Sequence, residues 1–222
     1  MNKFFPTEMR DKDYKIYPKV KIGKNVRIDK GVILGFSETK NYEETIIGDN
    51  AIIRANTVIY SGVRVGKNFQ TGPGVLIREG NIIGDDVAIW HNATLSPGNI
   101  IGDGCRIHAG SFLELVKLGK RIFIGPSVIF TDDPHPINPS PRKHFGGAQV
   151  DDDAVIGAAV TILPHVKIGR RAIIGAGSVV TKDVGTNQVW LGNPARFVKN
   201  PEDIVCKIDK RHYPYREFWK DK

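Results

Sequence analysis

One histidine in this sequence is held by its neighbours in a way that suits proton transfer. His135 stands between Pro134 and Pro136 in the run TDDPHPINPSPR, and the two rings restrict the backbone on either side of it. An imidazole titrates near neutrality, so it can take a proton from an attacking hydroxyl or amine. Asp132 and Asp133 are close enough in sequence for one of them to orient it. His91, His108, Ser111 and Glu114 also carry groups that could bind or activate a polar molecule, whereas His144, His165 and His212 have no comparable setting. Cys105 and Cys206 are too few for a disulfide framework and lack metal-site spacing, so they read as reduced thiols of a cytoplasmic protein.

A loop histidine does chemistry only where something rigid positions it, and the rest of the chain supplies a repeat. Aliphatic residues recur every six positions: Ile16, Ile22, Ile28 and Leu34, then Ile47, Ile53, Ile59, Val65, Thr71, Ile77, Ile83, Ile89, Leu95, Ile101, Ile107 and Leu113. One residue is dropped before Leu118, Ile124 and Phe130, and the series returns at Val150 and continues through Ile156, Ile162, Ile168 and Ile174 to Val180. Helices need a period near 3.6 and half-buried strands a period of 2, so a strict six fits neither. It fits short extended segments joined by turns, each sending one aliphatic side chain inward. Glycine often follows the inward residue, with Asn, Asp or Lys after it, as in IGDN, IGDD and IGKN, and these residues suit left-handed turns. A second small or apolar residue sits four positions after the first, for example Ala51, Val87, Cys105 or Val160.

Two stretches break the rhythm: the polar loop FSETKNYEET at 36–45 and the longer Pro- and His-rich loop at 131–149. Residues 1–15 precede the repeat, the repeat domain is expected over 16–199, and 200–222 reads as a short terminal helix or tail that caps the repeat. The start, MNKFFPTEMRDKDYK, lacks the apolar core of a signal peptide, and no apolar run is long enough for a membrane span. The net charge of +8 is scattered through segments such as KVKIGKN and VKIGRR, without interleaved aromatics. That pattern argues against a nucleic-acid platform and is compatible with phosphorylated small molecules.

With its hexads, its IGP-containing loop and its C-terminal segment, the chain resembles the hexapeptide-repeat acyltransferases. The resemblance implies an all-β, left-handed parallel β-helix of about eight coils, a triangular prism with three hexads per coil. The segment IGPSVIFTDDPHPINPSPR resembles the catalytic loop of galactoside and maltose acetyltransferases, which implies His135 as general base. VIGAAVTILPHVKIGRRAIIGAGSVVTKDV followed by WLGNPARFV resembles the coenzyme A-binding end of those enzymes. It implies acetyl-CoA as co-substrate, with Ala158, Ala176, Thr181 and Lys182 along the pantetheine and Arg196 at the phosphates. Small residues let a thin chain lie close to a coil, and basic ones suit phosphate. The resemblance further implies acceptor contacts from His91, His108, Ser111, Glu114 and Asp133, and a homotrimer with sites between subunits.

The early start of the hexads is similar to nucleotide-amino-sugar N-acetyltransferases, so N-acetylation of a nucleotide-linked amino sugar is the expected reaction, with no metal. TGPGVLIREG at 71–80 resembles a sugar acyltransferase motif but carries Pro73 where histidine is expected. O-acetylation of a sugar hydroxyl is the alternative. Two further readings stay open: a non-catalytic scaffold, and a metal enzyme resembling γ-type carbonic anhydrases. The latter needs three imidazoles; His91 and His108 could give two, but that family's paired histidines five residues apart are absent.

Overall fold

The computed structural model describes residues 13–137 and 144–219. Most strands are two or three residues long. Segments that short have no stability of their own, and each pairs in parallel with the strand one coil before and one coil after it. Leu76–Ile77, for instance, lies between Val58–Ile59 and Thr94–Leu95. Among the described residues the strands form three sheets, which are the faces of a triangular prism. The first face has nine strands, from Lys15–Ile16 to Val179–Val180, and the second has eight, from Val20–Ile22 to Lys167–Ile168. The third has ten; it runs from Arg27–Ile28 to Ile173–Ile174 and closes with an antiparallel hairpin, Val189–Gly192 and Ala195–Lys199. The chain visits the three faces in turn as a left-handed parallel β-helix, the fold that the hexads imply.

The inward residues are those of the six-step series. Ile47, Ile53, Ile59, Ile77, Ile89, Leu95, Ile107, Leu113, Ile124, Ile156 and Val180 are all buried, with Cys105, Val160 and Ala172 filling the second inward position. Thr71, the one polar member, is satisfied inside: its hydroxyl lies 3.1 Å from that of Thr57 and accepts from the Arg54 amide at 2.9 Å. Among the described residues the first coil is the open end, where Ile16 and Ile22 are exposed. Turns stack so tightly that a side chain at Gly48 would place its Cβ 2.3 Å from the Gly66 carbonyl oxygen.

The second inward position is not always apolar. Asn81 and Asn99 are fully buried there and form a ladder: Asn99 Nδ2 donates to Asn81 Oδ1 at 2.9 Å, and Asn99 Oδ1 accepts from the Val116 amide at 2.9 Å. Their amides also hold the carbonyls of Arg78 and Ser96, which fixes the backbone beneath the site described below. At the other end of the prism Trp219, which follows the short helix Pro214–Phe218, packs with Ile173 and Val189. The segment WLGNPARFV, read from sequence only as a binding cassette, is therefore also the hairpin that closes the third face. Among the described residues no helix is long and apolar enough to cross a membrane.

Candidate active site

The three edges of the prism differ in chemistry. Between the second and third faces runs a ladder edge of Asn and Asp turns. Between the third and first runs an alanine edge, which carries Ala158 and Ala176. Between the first and second runs a loop edge, from which both insertions leave: one follows strand Ile33–Phe36 and the other strand Ile129–Phe130. Along the loop edge the residues after successive first-face core residues stack in one column: Phe36, Tyr60, Arg78, Ser96, Glu114, Thr131, Leu163 and Thr181. Rungs of a sheet are about 4.8 Å apart, so the column is a scale along which the candidate groups can be placed.

At its middle lies a carboxyl pair. Glu114 hydrogen-bonds Asp132 and receives the Ser96 hydroxyl at 3.4 Å. Burial, with Asp132 and then Asp133 nearby, pushes the Glu114 carboxyl up to about 7, as expected for a carboxyl forced to share a proton with another. Next to it Leu115 has φ of 48°, a strained conformation for a bulky residue. It falls in the coil shortened by one residue, where Ile100 pairs with Lys117.

The loop that carries His135 begins at this pair. His135 is exposed; its amide donates to Asp133 Oδ1 at 2.8 Å. Asp133 thus shapes the backbone rather than orienting the ring. The imidazole faces that of His144 at 6.3 Å between centroids. His165 Nε2 lies 2.8 Å from the His144 carbonyl, and the Gly146 amide donates to the Asp132 carbonyl at 2.9 Å, which ties the far limb of the loop to the prism. The stretch PSPR at 139–142, part of the resemblance on which His135 was selected, lies outside the described residues.

Of the acceptor residues expected from sequence, Glu114 and Asp133 meet at the His135 loop and three do not. Ser111 is 1% exposed, with its hydroxyl donating to the Gly125 carbonyl at 3.0 Å. That expectation is corrected: Ser111 is an inward-facing residue fixed to a turn and unavailable to an acceptor. His91 and His108 stand on adjacent rungs of the alanine edge, away from His135 within one chain. His108 is packed between Trp90 and Phe123 at 6.1 and 4.8 Å, and burial lowers its pKa. Among the described residues no three His, Cys, Asp or Glu side chains are grouped to hold a metal.

The expected cofactor residues gather at the C-terminal end of the prism, but on more than one side of it. Ala158 and Ala176 occupy successive rungs of the alanine edge, where a Cβ on Gly157 would come within 2.6 Å of the Ala176 amide. That surface is smooth and closely stacked, as an extended thin ligand requires. Thr181 and Lys182 lie across the first face, exposed at the end of the loop edge, and Arg196 is exposed on the closing hairpin. Reading by motif missed the partners Asp132 and Ser96 of Glu114, and passed over His144 and His165. Carrying the six-step register across the dropped residue sets Ser96, Glu114 and Thr131 on consecutive rungs, which brings Ser96 to Glu114 but does not reach Asp132.

Three comparisons bear on this site. Residues 44–79, 82–114 and 147–182 match the family described as bacterial transferase hexapeptide (six repeats). The galactoside O-acetyltransferase of Lactococcus lactis subsp. lactis (strain IL1403) is 36% identical over 115 residues, which is 47% of this chain and 55% of that protein. Serine acetyltransferase 4 of Arabidopsis thaliana is 30% identical over 165 residues, 73% of this chain and 35% of its own. The chain thus spans only about half, or less, of these curated relatives. Among solved structures, the UDP-N-acetylglucosamine acyltransferase of Bacteroides fragilis 9343 superposes with a TM-score of 0.63 over 96% of this chain and 85% of that one, at 21% identity. The corresponding Campylobacter jejuni enzyme gives 0.61 over 85% and 73%, at 20%. At such identities these two superpositions show a shared fold.

Proposed function

We propose that this chain, which belongs to the hexapeptide-repeat acyltransferase family, transfers an acetyl group from acetyl-CoA to an amino group of a sugar. The observation that carries the reading is the convergence of Glu114, Asp132 and Asp133 at the base of the Pro-bracketed His135 loop. An amino sugar arrives largely as an ammonium ion, which carboxylates attract, and it must give up one proton there before it is a nucleophile. The free amine then attacks the acyl carbon, His135 takes the second proton, and the thioester C–S bond breaks to release coenzyme A, whose sulfur receives that proton. The coenzyme A thioester supplies the activated acetyl group. Ala158 and Ala176 present the smooth edge for its thin arm, while Lys182 and Arg196 are the cations available to its phosphates.

A hydroxyl acceptor is the second reading, favoured by the similarity to the Lactococcus lactis galactoside O-acetyltransferase. A nucleotide-linked acceptor fits the loop edge less well than the sequence suggests. Carboxylates dominate there, and Arg78 is already engaged by Glu79 at 2.8 Å and approached by Glu38 at 3.8 Å. The proposal includes a homotrimer, in which His91 and His108 of one subunit could serve the loop edge of the next. A monomer in light scattering would remove that shared site.

Isothermal titration with acetyl-CoA and with free coenzyme A comes first, and micromolar binding of both is expected. An amino-sugar acceptor panel follows, with the product treated with hydroxylamine: an amide survives and an ester does not. A hydroxylamine-labile product would replace the amine reading with the hydroxyl one. Binding of neither acetyl-CoA nor coenzyme A would overturn the transferase reading altogether.

A further inference from the structure

The first insertion, 36–45, roofs a pocket of about 450 Å³ on the same edge as the His135 loop. The size is that of a small-ligand site. Its aromatic wall is built by Phe36 and Tyr60, packed edge to face at 5.1 Å. The Arg78 guanidinium lies 4.8 Å over the Tyr60 ring and is clamped by both oxygens of Glu79, at 2.8 and 3.0 Å. The Tyr60 hydroxyl donates to Glu38 Oε1 at 3.2 Å, and Glu43 completes the lining. The roof is sewn down: the Glu43 amide donates to Ser61 Oγ at 2.6 Å, Ser61 Oγ returns a bond to the Glu43 carbonyl, and Lys19 Nζ holds the Tyr42 carbonyl at 2.8 Å. An insertion anchored in this way is a built wall.

The floor leads toward the candidate active site. Gly80, Pro97 and Gly98 keep it low, and a Cβ on Gly98 would sit 3.2 Å from Leu115, the neighbour of Glu114. Tyr60 is three rungs from Glu114, roughly 14 Å at the spacing of sheet strands. One monosaccharide is too short to touch both.

We propose that this pocket is a saccharide subsite, resting on the sugar-acceptor reading above: it holds a sugar unit remote from the reacting one, so that the acceptor is an oligosaccharide laid along the loop edge. Arg78 covers one face of Tyr60, and the aromatic surface that Phe36 and Tyr60 leave in the pocket lining suits the apolar C–H side of a pyranose, while carboxylates and a guanidinium in fixed positions accept from and donate to its hydroxyls. Three carboxylates against one arginine exclude a phosphate or diphosphate from the same space.

The test is binding of a glycan array of neutral and amino-bearing mono- to tetrasaccharides to the full-length protein without acetyl-CoA, so that the result does not depend on the donor. Tri- and tetrasaccharides should bind at least tenfold more tightly than the monosaccharide of the same type. Tyr60→Ala and, as a milder change that removes one hydroxyl acceptor, Glu38→Gln should erase that gain, while Asn68→Ala on the ladder edge should keep it. No glycan bound, equal affinity for one and four units, or a gain that survives both pocket variants would overturn the subsite. The donor titration separates this failure from that of the transferase reading, because acetyl-CoA binding with no chain-length effect removes only the subsite.

Discussion

The ladder edge and the loop edge are turns of the same coils, yet they are built on opposite terms. On the ladder edge Asn25, Asn50, Asn68, Asp86, Arg121, Asp153 and Arg171 all adopt positive φ between 55° and 62°. Asn25, Asn50, Asn68 and Asp86 pass hydrogen bonds from rung to rung at 3.3, 3.2 and 2.8 Å. Asp49, Asp85, Asp103 and Asp152 each receive the amide of a neighbouring turn. Each group has a partner of opposite character, and the edge repeats. On the loop edge like charges are brought together at Glu114 and Asp132, a bulky residue is forced to positive φ at Leu115, and two insertions interrupt the count. A repeat that satisfies itself on one side can support an edge where polar groups are left for a substrate to satisfy.

The largest effects should fall on different quantities at the two edges. His135→Ala should lower kcat/KM for acetyl transfer by about 10²–10⁴ and leave the melting temperature where it was; unchanged turnover on the true acceptor would remove the histidine from the mechanism. Asp153→Ala should do the reverse. The side chain is 1% exposed and holds Arg121 through two bonds of 2.7 and 3.0 Å. Arg121 and Arg170, left behind, are about half exposed and regain water, so losing the carboxylate should cost about 1–2 kcal/mol, seen in urea unfolding, with the activity of the folded fraction retained. If both variants lost activity and stability together, the separation of the two edges would be wrong.

How far the two edges could be read in advance follows from their physics. The ladder edge and the core repeat, so each hexad repeats the same statement: an aliphatic, a glycine, then Asn, Asp or Lys. Even Thr71, the apparent exception, marks an inward position whose hydroxyl finds Thr57. The loop edge says each thing once. His135 stands out in the sequence because two prolines and a family motif surround it, and its role is part of the proposal. The Glu114–Asp132 pair does not stand out, since it depends on a register change at the dropped residue and on proximity through space. Ser111 was misread for a related reason: its position four after Ile107 is the second inward site, and a polar residue there looks like a surface group unless the period is applied to it. The buried Asn81 and Asn99 escaped in the same way.

A smaller effect separates two causes on the ladder edge itself. Asn68 has φ of 55° and bonds both Asn50 and Asp86. Asn68→Ala should cost about 1 kcal/mol, most of it the left-handed backbone, which asparagine's short polar side chain tolerates and alanine's methyl does not, because hydrogen bonds at an exposed edge are weak. Asn68→Gly keeps the backbone and loses the same bonds, so thermal unfolding should find it less than half as damaging. Equal losses would mean that the side-chain ladder, and not the turn conformation, holds the edge.

The smallest shift is also the one whose sign is most telling. The Glu114 carboxyl is raised from 4.5 to about 7, first by burial and then by Asp132. A carboxyl with a raised folded-state pKa contributes stability that is fully present below its unfolded value and is lost as pH rises through the folded one. The wild type should therefore lose stability between about pH 4.5 and 7, where it must ionise a carboxyl beside another. Glu114→Gln never ionises, so it should match the wild type near pH 4 and exceed it near pH 8. Since the group is only partly buried and solvent screens part of the effect, the gain is on the order of 1 kcal/mol, or about 2–4 °C in melting temperature. The same variant should transfer acetyl more slowly, because an amide offers no charge to an ammonium acceptor. Stability gained where activity is lost would locate the strain of the loop edge in Glu114. A variant that is less stable at pH 8 would mean that the carboxyl pair holds the fold together, and that the loop edge, like the ladder edge, is satisfied before any substrate arrives.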